Sequence, residues 1–199
     1  MRKDTKLIQT IVFTLLFLAT LVVLLPVIWV IALILIKGLP AMRLGFIFGM
    51  PLDGMRAGGI FPALVGTIYL VLATAVFAIP LGVLCAVYLN EYAPHNWLTR
   101  TIEIAIINLA GVPSIVYGLF GLGLFVSIFG VSILAGALTL AIMTLPTMIT
   151  ATREALNAVP QAYREASFSL GASRWQTVRH IVLPNAVPGI LTGVILSLS

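Results

Sequence analysis

Long charge-free runs separated by short polar intervals organise this chain. After Arg2, Lys3, Asp4 and Lys6, residues Leu7 to Ile36 carry no formal charge. About 20 apolar residues suffice to cross a hydrocarbon core, so this run reads as a first span that Pro26 can bend. It exceeds the roughly 7 to 15 residues of a signal-peptide core, and no small-residue cleavage site follows it. Ala57 to Asn90 forms the second run. Pro62 suits its helix start, and Pro80 inside it frees a backbone carbonyl and permits a bend. Thr74, Ala78, Gly82 and Ala86 recur every four residues as a ridge of small side chains on which another helix can pack closely. The uncharged stretch from Ile104 to Thr152 is too long for one span. Gly130, between Ser127 and Ser132, marks a turn that divides it into a third span over Ile102–Val126 and a fourth over Ile133–Thr150. Ala110, Ser114 and Gly118 make a second small ridge in the third span, where Gly111 and Pro113 loosen the helix at mid-depth. Asn185 to Ser199 supplies about 22 Å of helix, short of the roughly 30 Å hydrocarbon core, so the chain is expected to end inside a fifth span.

The intervals differ in character. Lys37 to Arg56 contains Gly38, Pro40, Gly45, Gly49, Pro51 and Gly54 and is expected to be irregular, with Phe46, Ile47 and Phe48 at the lipid boundary. In the connector from Glu91 to Arg100, Tyr92 and Trp97 suit an interfacial aromatic belt. Arg100 and Glu103, three residues apart, are expected to form a local ion pair.

Ala151 to Pro184 is the only long polar interval. It holds Arg153, Arg164, Arg174 and Arg179, four of the eleven lysines and arginines, together with Glu154 and Glu165. Pro160 can open a helix at its first turn. Tyr163, Ala166 and Leu170 then share one face, and the helix is expected to stop near Gly171. Ser173 with Gln176 three residues on has the form of a capping box and opens a second helix, with Trp175, Val178 and Val182 as its stripe and Pro184 as its end or kink. The interval reads as a helical hairpin with an aromatic and aliphatic face bordered by arginines.

Composition narrows the class. Of 199 residues, 61% are hydrophobic and 9% charged, and a mean hydropathy of +1.17 excludes both disorder and a water-soluble domain. The formal charge of +5 rests on few charges, so it points to membrane topology rather than to a nucleic-acid groove. Cys85 is the single cysteine, which rules out an intrachain disulfide. His95 and His180 lack the company of a metal cluster. Gly121 and Gly123 do not follow a strand of an α/β unit, so they are not a dinucleotide loop. No glycine-rich segment ends in Lys-Ser or Lys-Thr, so if ATP drives this protein another chain must bind it.

Glu165-Ala166-Ser167, Gly171, Ile181 and Leu183-Pro184 stand at the spacing of the EAA loop, and on these residues the chain resembles the permeases of ABC importers. Ser167 is the one departure, where that family usually has a second alanine. GGIFPALVGTIYLVLATAVFAIPLGV, the segment Asn90 to Pro94, and NLAGVPSIVYGLFGLGLF over Asn108 to Phe125 extend the resemblance to the phosphate-specific permeases of that class. The fold that follows is all-α, a polytopic transmembrane bundle forming one permease domain over residues 1–199, with its coupling loop at about 151–184 and an end inside the fifth span. Further implied are a companion (PstC-like) permease, a cytoplasmic (PstB-like) ATPase dimer holding ATP and Mg, and a periplasmic (PstS-like) phosphate-binding protein. The cargo would be inorganic phosphate, the surroundings membrane lipid of the bacterial inner membrane, with no cofactor bound by this chain and no nucleic acid.

The coupling role would fall to Tyr163, Glu165, Ala166, Gly171, Trp175, Ile181, Leu183 and Pro184. Tyr163 and Trp175 would carry contact energy if they face the ATPase. Glu165 and the four arginines would set register through charge pairs. Thr67, Asn108, Ser114, Tyr117, Gly118 and Thr139 are candidates for lining a pathway or packing the bundle. With the N-terminus inside, eight lysines and arginines face the cytoplasm against Lys37, Arg43 and Arg56 outside, which puts the coupling loop on the ATPase side. A permease for another oxyanion, such as sulfate or molybdate, is the main alternative. A non-ABC channel or receptor would not need the EAA spacing, and a membrane-embedded enzyme would need convergent acids, histidines or a nucleophile.

Overall fold

The computed structural model describes residues 2–54 and 56–198. It divides into two compact units, Met1–Leu64 and Val65–Ser199. The first begins with α1, Arg2–Gly38, a helix of 37 residues with Pro26 inside it. Its apolar window, within Ile8–Ala41, has no buried residue, as expected of a helix that is hydrophobic all round and meant for lipid.

The interval expected to be irregular is instead organised. A 3-10 turn over Leu39–Ala41 precedes α2, Leu44–Phe48. Strands β1, Pro51–Leu52, and β2, Ala57–Gly58, then pair antiparallel with Pro51 opposite Gly58 and Leu52 opposite Ala57. Asp53 and Gly54 carry the turn at φ 48° and 63°, the left-handed conformation that Asp tolerates and Gly adopts freely. The Gly59 and Ile60 amides donate to the Met50 and Phe46 carbonyls, tying hairpin to helix. Met55 lies outside the described residues. Phe48 is exposed and stands 6.3 Å, ring centre to ring centre, from Phe61.

The second unit takes up helix α3, Phe61–Val87, soon after its start. Pro80 sits inside this helix without ending it. A π-helical turn, Tyr88–Tyr92, carries it into what the sequence suggested was connector. Next come α4, Trp97–Ala110, α5, Ser114–Gly121, a π turn over Leu122–Val126 and α6, Ser127–Phe129. The expected third span over Ile102–Val126 is therefore not one helix. Its two halves, Trp97–Ala110 and Ser114–Phe129, meet at 97°. Pro113 has no N–H to offer the Leu109 carbonyl one turn back, which accepts from the Val112 amide at 3.1 Å and from the Tyr117 hydroxyl at 2.9 Å.

Gly130, at φ 67°, makes the expected turn before α7, Ile133–Asn157, which Ser132 caps by accepting the Ala135 amide. Helix α7 is the centre of this unit. The ridge of Thr74, Ala78, Gly82 and Ala86 is buried as expected. A methyl built on Gly82 would stand 2.6 Å from Met148 Cγ of α7. On α5, a methyl on Gly121 would collide with Thr139. Ala110, Ser114 and Gly118, by contrast, are exposed, so the second ridge is not buried among the described residues, and α5 turns Tyr117 and Gly121 inward instead.

After α7 come α8, Gln161–Ser169, and α9, Arg174–Thr177. A π turn over Val178–Val182 leads without interruption into α10, Leu183–Leu198. Pro184 was expected to end or kink this helix and does not end it. In the wider turn before it the Leu183 amide bonds the Val178 carbonyl, five residues back, and this altered ladder carries the helix past a residue that has no N–H. The fifth hydrophobic helix is consequently Arg174–Leu198, 25 residues and about 37 Å long, rather than the 15-residue remnant expected from Asn185; Ser199 lies outside the described residues. Among the described residues four helices can cross a membrane by length and composition, five if the bent pair is one span, and apart from the small hairpin the fold is all-α.

Candidate coupling site

The polar interval folds as the expected hairpin, hung from the end of α7. Pro160 takes the position just before α8 rather than its first turn, with φ −56° and ψ 136°. At the other end Gly171 adopts φ 82°. Its amide donates to the Phe168 carbonyl and the Ala172 amide to the Ser167 carbonyl, the paired bonds of a Schellman stop. The Ser173–Gln176 capping box forms with both bonds made, from the Ser173 amide to Gln176 Oε1 at 2.7 Å and from the Gln176 amide to Ser173 Oγ at 3.3 Å.

The hairpin's faces are assigned differently from the periodicity. Tyr163 and Leu170 are 50% and 89% exposed, and Ala166 between them is exposed. Helix α8 turns the other way, burying Ser167 and half-burying Arg164. Ser167 Oγ lies 2.8 Å from Thr177 Oγ1 of α9, both buried, so the one departure from the EAA pattern is a hydroxyl clasp between the two helices. Of the second stripe, Val178 and Val182 are buried in the core with Leu89, Met148 and Leu156, while Trp175 is exposed. Leu183 packs against that core, Ile181 is half-buried and Pro184 exposed.

Two of the four arginines point inward. Arg164 donates to the Leu156 and Val159 carbonyls at 2.9 and 2.7 Å, where α7 has run out of helical donors. Its third bond reaches Glu91 Oε1 at 3.0 Å, which also accepts from Asn90 Nδ2. Arg153 pairs with Glu103 at 2.6 Å. The local Arg100–Glu103 pair therefore does not form, because a guanidinium fifty residues away holds the carboxylate. Glu165, Arg174 and Arg179 make no ion pair among the described residues and are exposed. Tyr92, expected in an aromatic belt, packs on the core, while Trp97 is 80% exposed. The connector and the hairpin enclose a groove of about 690 Å³ lined by residues that include Glu91, His95, Arg164, Phe168 and Arg174.

Of the pathway candidates, Gly118 and Thr139 line one cavity of about 330 Å³ together with Leu70 of α3. Thr67, Asn108, Ser114 and Gly118 are exposed. Tyr117 bridges the α4–α5 break, and Thr139 donates to the Ala135 carbonyl of its own helix. Arg164, one of the four arginines expected to set register through charge pairs, pairs inward with Glu91, and the residues that spacing alone missed are Glu91 and Thr177. Their signal was only their polarity beside long apolar runs.

Residues 78–199 match the family model described as binding-protein-dependent transport system inner membrane component. The chain is 40% identical over 166 residues to a probable ABC transporter permease protein, YqgI, of Bacillus subtilis, covering 82% of this chain and 56% of that one. It is 38% identical over 192 residues to phosphate transport system permease protein PstA 1 of Mycobacterium tuberculosis, covering 94% and 63%. Thus it spans about three fifths of the length of these relatives. Among solved structures, an inward-facing MetNI methionine ABC transporter shares 25% identity at a TM-score of 0.56, over 70% of this chain and 66% of the other. The matched region runs from the buried ridge of α3 through the hairpin to α10, and by it this chain belongs to the family of binding-protein-dependent transport system inner membrane components.

Proposed function

We propose that this chain is the permease subunit of an ATP-driven importer of inorganic phosphate, seated in a bacterial inner membrane with its N-terminus and its α7–α10 hairpin in the cytoplasm. The carrying observation is that Tyr163, Ala166, Leu170 and Trp175 are all exposed in a polar segment between membrane-crossing helices. Exposed aromatic and aliphatic side chains outside the hydrocarbon suit a protein partner. Unpaired Glu165, Arg174 and Arg179 supply the polar rim that such an interface takes. The partner is an ATPase dimer that binds ATP and Mg. A companion permease completes the pathway, and a periplasmic binding protein delivers the anion.

Closure of the ATPase dimer moves the hairpin as a unit and opens the pathway outward; hydrolysis resets it. The uncharged runs from Leu7 to Ile36, Ala57 to Asn90 and Ile104 to Thr152 offer no lysine or arginine to a phosphate, so the route is lined by hydroxyl and backbone donors or takes its positive potential from loop residues and the companion subunit. The phosphate reading rests on the relatives named for phosphate transport.

The test is labelled-phosphate uptake in cells lacking their own phosphate permeases, with companion permease, ATPase and binding protein co-expressed. ATP-dependent uptake competed by phosphate and not by sulfate or molybdate is the expected result. An assembled complex that imports another oxyanion overturns the cargo and keeps the coupling role; a chain that never captures an ATPase overturns both.

A further inference from the structure

Three helices end around the hairpin, and only two are joined to it through the chain. Helix α7 leads into α8 through Ala158, Val159 and Pro160, and α9 continues into α10. Helix α3 ends in the π turn Tyr88–Tyr92, about seventy residues earlier, and reaches the hairpin through side chains alone. Leu89 does so by sharing the core with Val178 and Val182. That contact is apolar and non-directional, so it permits sliding. The directional link is Arg164 to Glu91.

We propose that the Arg164–Glu91 ion pair is the tie that carries movement of the hairpin into helix α3, with Arg164 acting as a positioning residue for transport. The inference rests on the import reading above and adds a named route to it.

Geometry supports it in three ways. One guanidinium holds both ends: one of its bonds goes to Leu156 in the last turn of α7, one to Val159 in the connector that follows and one to Glu91 at the end of α3, so a shift of α8 pulls on both helices. The side chains of the pair are only 12% and 11% exposed, which shields the interaction from salt. Asn90 Nδ2 donates to the same carboxylate oxygen at 3.0 Å and fixes it toward the arginine. The contact is made on a π turn, a backbone form found often at functional sites, where the helical ladder already departs from its ideal. Lysine at 164 would keep the charge and lose the planar fork that spans three acceptors.

The experiment compares phosphate moved per ATP hydrolysed by wild-type, Glu91→Gln and Arg164→Lys complexes, reconstituted with companion permease, ATPase and binding protein. Glu103→Gln serves as control, because it breaks the other ion pair, which joins α4 to α7 through residues outside α8 and α9. Both pair variants are expected to copurify with the ATPase and hydrolyse ATP at near wild-type rates, with transport per ATP lower by about fivefold or more, the scale of a typical coupling energy. The control is expected to keep the wild-type ratio. An unchanged ratio in both pair variants overturns the proposal, as does an equal fall in the control. Loss of membrane insertion or ATPase binding in both pair variants also overturns it, by assigning the pair to folding. A wild-type complex that hydrolyses ATP but imports a different oxyanion fails the phosphate reading alone, and the ratio is then read with that oxyanion.

Discussion

Ser167 of α8 and Thr177 of α9 share a hydrogen bond of 2.8 Å, both residues buried. The two hydroxyls are not equally dependent on it, since Thr177 also donates to the Ser173 carbonyl at 3.1 Å. Ser167→Ala should therefore cost about 1 kcal/mol or less, whereas Thr177→Val, which leaves the Ser167 hydroxyl buried without its partner, should cost about 1–3 kcal/mol. Thermal unfolding of both purified variants in one detergent checks the order.

Gly171 sets a different kind of constraint. Its φ is 82° and nothing lies within 4 Å of a methyl built on it, so the penalty for replacement is conformational and not steric. Gly171→Asn should be tolerated better than Gly171→Val, by roughly 1 kcal/mol, because a short polar side chain accepts the left-handed region and a β-branched one resists it. Melting temperature and ATPase copurification should fall in that order. Equal behaviour of the two would place the constraint elsewhere.

Helix contacts around α7 should not be equally forgiving. A methyl on Gly82 meets the flexible Met148 side chain, while one on Gly189 or Gly193 of α10 would stand 2.7 Å from the Cβ of Ala155 or Ala151, fixed to the α7 backbone. Overpacking costs about 1–3 kcal/mol. Gly82→Ala is expected at the low end of that range, with Gly189→Ala and Gly193→Ala at the high end, and urea unfolding of the three variants reads the ranking.

Arg153–Glu103 is a partly exposed pair, with side chains 29% and 31% accessible. Glu103→Gln should cost no more than about 1 kcal/mol, and less at high salt. A salt-independent loss of several times that size would mean that the carboxylate supports something larger.

Thr152 presents a hydroxyl that is fully buried and has no hydrogen-bond partner among the described residues. Replacing it with valine removes the unsatisfied group and nearly preserves shape. The melting temperature of Thr152→Val should equal or exceed that of wild type, the gain being about 1 kcal/mol.

How much of this was legible follows from the range of each interaction. Charge-free runs revealed the spans because lipid imposes length and composition locally, and the ridge at Thr74, Ala78, Gly82 and Ala86 was visible because small residues on one helix face have little other use. The capping box and the Gly171 stop were visible for the same reason: each is made within a few residues. Arg100 and Glu103 show the opposite case, since neighbours in sequence lost to Arg153 across the fold. Which side of α8 faces inward was also hidden. Periodicity shows that Tyr163, Ala166 and Leu170 share a face, and it cannot tell a face turned to the core from one turned to a partner. Gly111 and Pro113 marked a weak point, but the 97° angle depends on how α5 seats against α7.

Because Arg174–Leu198 is one unbroken helix, the exposed rim of the hairpin and the packed core of the bundle belong to one rigid rod. Gly189 and Gly193 bring that rod close against Ala155 and Ala151 of α7, about 22 Å along the axis from Arg174. Whatever moves Trp175 therefore acts at that contact with no hinge between the two.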